Sequence, residues 1–413
     1  MRHDTRRSIG GMILDRRALV LSALAFVATG RRAGAANETG NGAQSPDFSR
    51  FVQSLWPAAS AAGVARETFD AAVFGLAPEP GVLAKPRTQA EFTISIPAYV
   101  AGAVTNSRVA RGRAVAAELA GVLRRVEGRS GVAGEIMVAI LGVESNFGTA
   151  TGGADALRVL ATLAWKGHRG TLFADEFVAA LVMLQKGYVT RARLRGSWAG
   201  AMGQPQFMPS AYLKFAESYA GESAPDIWTS RADALASIGS FLSKSGWNPA
   251  LPWGVEVAIP QGFDYANFDL DLSQWRALGF ARIDGEALPA SGAASLYLPA
   301  GAKGPAFLIT DNFEVIRQYN TSDAYALSVA LLADRVKGRE IPVTPWPRVA
   351  PLATADCKAM QQLLTERGFY RGTIDGKLGR TSRNAVHAFQ FSEGIQPADG
   401  LATKEVLARL RER

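Results

Sequence analysis

The stretch Glu135-Ile136-Met137-Val138-Ala139-Ile140-Leu141-Gly142-Val143-Glu144 decides how the rest of the chain is read. It has the texture of a helix interior. Glu144 falls four residues after Ile140 and seven after Met137, so it shares the apolar stripe rather than the solvated face. A carboxyl group in that position is partly desolvated, which raises its pKa and keeps a proton available near neutral pH. Such a group suits protonation of a glycosidic oxygen. A glutamate at a helix end also serves plain structural roles, and its position does not separate the two readings.

Other chemistries find little material. Of three histidines, His3 lies near the N-terminus, His168 in a loop-like Lys166-Gly167-His168-Arg169-Gly170 stretch, and His387 near the C-terminus. A Ser-His-Asp arrangement built on His168 stays open, but no Gly-x-Ser-x-Gly elbow precedes a helix. Metal sites need more clustered ligands, and no Gly-x-x-x-x-Gly-Lys-Ser/Thr phosphate loop is present. Cys357 is alone, which excludes an intrachain disulfide and a cysteine-rich metal site. Carboxylate chemistry remains. Asp155, Asp175 and Glu176 follow Glu144, but nothing marks any of them as its partner.

Outward from this helix, 413 residues with 48% hydrophobic and 20% charged content point to two or three folded units. Residues 1–36 read as a signal peptide of the twin-arginine type. Arg16-Arg17 precede an apolar run from Ala18 to Ala28, and a small-residue site, Ala33-Gly34-Ala35-Ala36, follows. The run is too short to span a membrane as a permanent helix. No cysteine stands there for lipoprotein processing, so no stable membrane anchor is expected. Residues 1–35 hold seven arginines against Asp4 and Asp15, which is five of the eight net positive charges. The mature chain is therefore only mildly basic, and a nucleic-acid partner is not expected.

Residues 37–47 are polar and glycine-rich. From Phe48 to about Gly246 apolar residues recur at helical spacing, as in Phe173, Phe177, Leu181 and Leu184. Between 253 and 316 short alternating runs, such as Val255-Glu256-Val257-Ala258-Ile259 and Ala306-Phe307-Leu308-Ile309, predict a small β-rich insertion. Helical spacing returns from Ala324 to Val336. Residues 341–353 form a Pro-rich extended linker, and residues 354–413 a separate small helical domain.

Three motifs now carry a resemblance. Ile140-Leu141-Gly142-Val143-Glu144-Ser145-Asn146-Phe147-Gly148 resembles the Glu-Ser/Thr motif of the membrane-bound lytic transglycosylase B family. The stretch Gly196-Ser197-Trp198-Ala199-Gly200-Ala201-Met202-Gly203-Gln204-Pro205-Gln206-Phe207-Met208-Pro209-Ser210 is similar to that family's second motif. Arg317-Gln318-Tyr319-Asn320-Thr321-Ser322-Asp323-Ala324-Tyr325 resembles its Tyr-Asn motif. They occur in order, over roughly residues 47–340. Residues 354–413 resemble a three-helix peptidoglycan-binding domain, carried by Gly368-Phe369-Tyr370-Arg371-Gly372-Thr373-Ile374-Asp375-Gly376 and by Asp399-Gly400-Leu401-Ala402-Thr403. The two Asp-Gly pairs are turn dipeptides first of all.

The resemblance implies a mainly α, lysozyme-like catalytic core with a groove for peptidoglycan glycan strands. Carried over, Glu144 is the lone acid/base. Ser197, Met202, Gln206 and Phe207 line the groove, with Gln204 competing with Gln206 for the contact. Tyr319, Asn320 and Tyr325 approach Glu144 from the far side. It also implies cleavage of the MurNAc-GlcNAc bond with a 1,6-anhydro end, in the periplasm and without a cofactor. A hydrolytic muramidase on the same fold and a non-catalytic wall-binding scaffold are the alternatives. Some members carry an Asp-rich calcium loop before a Trp. Gly221-Glu222-Ser223-Ala224-Pro225-Asp226-Ile227-Trp228 lacks its alternating ligands, so no metal is expected. The C-terminal domain is expected to work as a tether that raises local substrate concentration.

Overall fold

The computed structural model describes residues 46–83, 94–221, 224–348 and 350–412. The signal-peptide reading, residues 1–36, lies outside them. No helix among the described residues is long and apolar enough to cross a membrane.

The helix Gly134–Ser145 is the axis of the fold. Its burial is not confined to a stripe, since every residue from Ile136 to Ser145 is shielded from solvent. A helix apolar on all sides is stable only when other helices surround it. Those neighbours are Asp323–Lys337, Asn106–Glu118, Arg231–Lys244 and Ala120–Ser130. A second layer pairs Ala156–Trp165 with Leu172–Gln185. There Phe173, Phe177 and Leu181 of the predicted stripe are fully buried, and Leu184 at its end is partly buried.

The insertion is a five-stranded antiparallel sheet in the order Asp269–Asp271, Ala293–Tyr297, Ala306–Ile309, Gly254–Ala258, Ala281–Arg282. Strand alternation explains why all four residues of Ala306–Ile309 are buried. Phe307 and Ile309 face the helical core, and Ala306 and Leu308 face the sheet's own core beside Val255, Val257 and Trp275. The sheet ends earlier than the sequence pattern indicates. Thr310 accepts from Asn312 N through its side chain and starts the helix Asp311–Tyr319, so residues 311–316 are helical.

The proline-rich segment is extended but not free. Buried Glu256 accepts from Val343 N at 2.7 Å and Thr344 N at 2.9 Å, while Ile341 and Trp346 pack on the helical core. Three helices, Thr354–Glu366, Arg380–Ser392 and Lys404–Arg411, then close around Met360, Leu364, Val386, Phe389 and Leu407. Each Asp-Gly turn is held by a buried glutamine: Gln361 Oε1 accepts from Gly376 N, and Gln390 Oε1 from Gly400 N, both at 2.7 Å. This unit is seated on the insertion. His387 Nε2 lies 2.8 Å from Tyr265 O, and Asp399 Oδ2 accepts from Ala302 N at 2.9 Å. A loose tether is therefore not the arrangement seen.

Candidate active site

Glu144 sits one residue before the end of its helix, where the chain reverses through three left-handed residues, Asn146, Phe147 and Gly148. Ser145 organises the reversal: its Oγ donates to Leu141 O at 3.2 Å and accepts from Gly148 N at 3.0 Å. The turn folds the Phe147 ring back onto the helix. A Cβ at Gly142 would lie 2.6 Å from that ring, so glycine is required there.

Glu144 is 2% exposed. Its Oε1 accepts from the Tyr325 hydroxyl at 2.6 Å. Tyr325 is placed by the start of its helix, where Ser322 Oγ accepts from Tyr325 N at 3.3 Å. Tyr319, the last residue of the preceding helix, stacks on Tyr325 with centroids 6.5 Å apart and planes at 13°. Its hydroxyl donates to Pro205 O at 2.7 Å. Asn320 joins the two helices in extended conformation and is buried. Burial, followed by the neighbouring Glu144 charge, pushes both tyrosines well above the ordinary phenol range. They therefore stay protonated donors at any working pH.

The opposite wall is the turn from Gly196 to Phe207. Ser197 Oγ accepts from Ala199 N at 3.3 Å and Ala201 N at 3.2 Å. Met202 pairs with both Gly196 and Phe207. Met202 and Phe207 are fully buried, with Phe207 against Phe241 and Tyr319. Both are core side chains rather than surface ones. Gln206 takes a left-handed conformation, and its Nε2 donates to Gly203 O at 2.7 Å and Thr151 O at 3.1 Å. Both amide hydrogens are used there, which leaves Oε1 as the side chain's remaining polar atom. Gln204 is buried beneath Gly148 and donates to Trp228 O at 3.3 Å. Pro205 and Thr151, whose carbonyls tie the two walls together, left no signal in the sequence.

The three carboxylates that follow Glu144 are engaged elsewhere. Asp155 is gripped by both Arg191 Nη atoms at 2.7 and 2.6 Å. Asp175 is on the surface beside Thr171. Glu176 is buried and accepts from Ser210 N and Oγ at 2.9 and 2.6 Å.

With this geometry in place, comparison with known proteins decides the family. Residues 47–334 match the Transglycosylase SLT domain, and residues 354–410 match a peptidoglycan binding domain. The chain belongs to the transglycosylase SLT-domain family. Its mostly helical, lysozyme-like core agrees with that membership. Among solved transglycosylases it is similar to Pseudomonas aeruginosa SltB3 in complex with NAG-anhNAM-pentapeptide. The identity is 41% and the TM-score 0.81, over 89% of this chain and 100% of that one. It is also similar to Escherichia coli lytic transglycosylase Slt35 in complex with calcium, at 27% identity and TM-score 0.59, over 72% of this chain and 95% of that one. Membrane-bound lytic murein transglycosylase B of Escherichia coli is 32% identical over 213 residues, 50% of this chain. The match spans 57% of that relative's length.

Proposed function

We propose that this transglycosylase cleaves the β-1,4 bond between MurNAc and GlcNAc in peptidoglycan and leaves a 1,6-anhydro-MurNAc end. The observation that supports this reading most is Glu144, buried and held by Tyr325, while Asp155, Asp175 and Glu176, the carboxylates that follow it in the sequence, are engaged elsewhere. With none of these three as base or nucleophile, the acceptor that the substrate itself offers is its C6 hydroxyl.

Tyr325 donates into Oε1, which fixes the plane of the carboxyl group that carries the working proton. In the first step Glu144 gives that proton to the glycosidic oxygen. The C1–O bond of MurNAc breaks, GlcNAc leaves as its 4-alcohol, and the 2-acetamido oxygen steadies the cation at C1. In the second step the Glu144 carboxylate takes the proton of the C6 hydroxyl as O6 bonds to C1. The anhydro ring closes, Glu144 is protonated again, and no water is consumed. A group that is acid in one step and base in the next needs both forms within reach.

Glu144, with Ser197, Met202, Gln206, Phe207, Tyr319, Asn320 and Tyr325 around it, forms the proposed site. The proposed division is a catalytic unit over 47–340, a linker over 341–353 and a wall-binding unit over 354–413. Export to the periplasm rests on the twin-arginine pattern within residues 1–36. The test is release of soluble fragments from purified peptidoglycan by wild type and by Glu144→Gln. Glu144→Gln should bind the wall and release nothing; release at the wild-type rate rules Glu144 out.

A further inference from the structure

The two helices that carry Tyr319 and Tyr325, joined through Asn320, also carry the acidic seat of the C-terminal domain. Glu314 and Arg317 lie on Asp311–Tyr319, and Asp323 is the first residue of Asp323–Lys337. From the other side come Arg380 and Arg383, on the first turn of Arg380–Ser392. Arg383 is paired directly with Asp323. Arg380 is paired with Glu314 and reaches within 4.0 Å of Asp323. Arg317 completes the cluster at 2.9 Å from Glu314 and 3.7 Å from Asp323.

This is not a loose surface contact. The Asp323 side chain is 8% exposed and that of Arg383 is 17% exposed, so solvent screens the pair weakly. The Arg383 guanidinium also lies over the Tyr297 ring at 5.4 Å, and that ring packs on Phe313 of the Tyr319 helix at 5.5 Å. The elbow from Tyr319 to Tyr325 is thus held at two points: Glu144 and Pro205 take its phenols, and the C-terminal arginines take its carboxylates. Asp323 stands two residues from Tyr325 on the same helical turn. A shift of that turn moves the phenol on Glu144, and displacements of about an ångström cost a catalytic group much of its effect.

We propose that Arg380 and Arg383 are positioning residues for the reaction: the peptidoglycan-binding unit braces the elbow that holds Glu144, besides binding the wall. The inference rests on the transglycosylase reading above. It is tested in the full mature chain with a soluble peptidoglycan tetrasaccharide, measuring kcat and KM separately. Arg380→Ala/Arg383→Ala should lose about tenfold in kcat with little change in KM. Arg383→Lys should retain most of the rate. Asp323→Asn should reproduce the loss from the other side, and combining it with Arg383→Ala should add little, because the direct Asp323–Arg383 pair is the main contact that both remove. Thermal unfolding of each variant, followed by tryptophan fluorescence, establishes that the catalytic unit is folded.

An unchanged kcat in the folded double variant, with loss confined to binding of sacculi, overturns the inference and leaves the arginines a role in attachment alone. Additive losses from Asp323→Asn and Arg383→Ala also overturn it. If the wild-type chain itself yields no anhydro product, the transglycosylase reading fails and takes the inference with it. The wild-type control separates the two failures.

Discussion

Tyr325 and Glu144 stand 181 residues apart in the chain, and the phenol of the first donates to Oε1 of the second across 2.6 Å. Tyr325→Phe keeps the ring and its stacking on Tyr319 but removes the donor. Hydrogen bonds to charged groups contribute about 1.5–3 kcal/mol, so kcat should fall about 10- to 100-fold with KM nearly unchanged. Steady-state kinetics on a soluble glycan measure both. A variant with unaltered kcat would show that Tyr325 does not tune the carboxyl.

The reversal after Glu144 depends on the space at Gly142. Gly142→Ala places a methyl group 2.6 Å from the Phe147 ring, which must move and drag Asn146 and Gly148 with it. Overpacking of this kind costs about 1–3 kcal/mol. The expected outcome is a lower thermal midpoint together with reduced turnover, since the displaced turn begins at Ser145. Unchanged stability would mean that Phe147 has room the structure does not show.

Stability should also depend on pH through Glu176. Its folded pKa is raised, first by burial, with the two Ser210 hydrogen bonds pulling back and the Asp175 charge adding a smaller push. Below the ordinary glutamate value the group is protonated in both states, and its contribution to stability is fully present. As pH rises above that value the unfolded chain ionises first, and the contribution is lost until the raised folded value is passed. The thermal midpoint should therefore decline over that interval. Glu176→Gln should flatten this part of the curve, and parallel curves for both proteins would count against the assignment.

The loop ahead of Trp228 should not respond to calcium. Residues 222 and 223 lie outside the described structure, but Asp226 is fully engaged. Its Oδ1 accepts from Trp228 N and Thr229 N, and its Oδ2 from Thr229 Oγ1 and from Arg193 at 2.8 Å. A guanidinium already supplies the positive charge a cation would bring. Adding calcium chloride or a chelator should leave the thermal midpoint in place, and a calcium-dependent rise would overturn this reading.

Much of the fold was legible because local pattern and burial agree. The apolar run ending in Glu144 became the central helix, and the alternation of Ala306–Ile309 became a strand serving two cores. The candidate site was legible in parts. Motif order brought out Glu144 and the two tyrosines, but the left-handed Gln206 and the Pro205 carbonyl that ties the walls together have no local signature. The seating of the C-terminal domain was not legible at all. Arg380 and Arg383 begin an amphipathic helix, where charges normally face water, and their partner Asp323 looks like an ordinary first-turn acid. Only the three-dimensional meeting of these residues shows that the proline-rich segment delivers a docked unit.

The most direct test is mass spectrometry of the muropeptides that the mature protein releases from purified peptidoglycan. Products one water lighter than hydrolytic fragments, ending in 1,6-anhydro-MurNAc, are the expected result, and Glu144→Gln should release none. Reducing-end products of full hydrolytic mass would contradict the account, because water would then be the acceptor and Glu144 would need a second group to activate it.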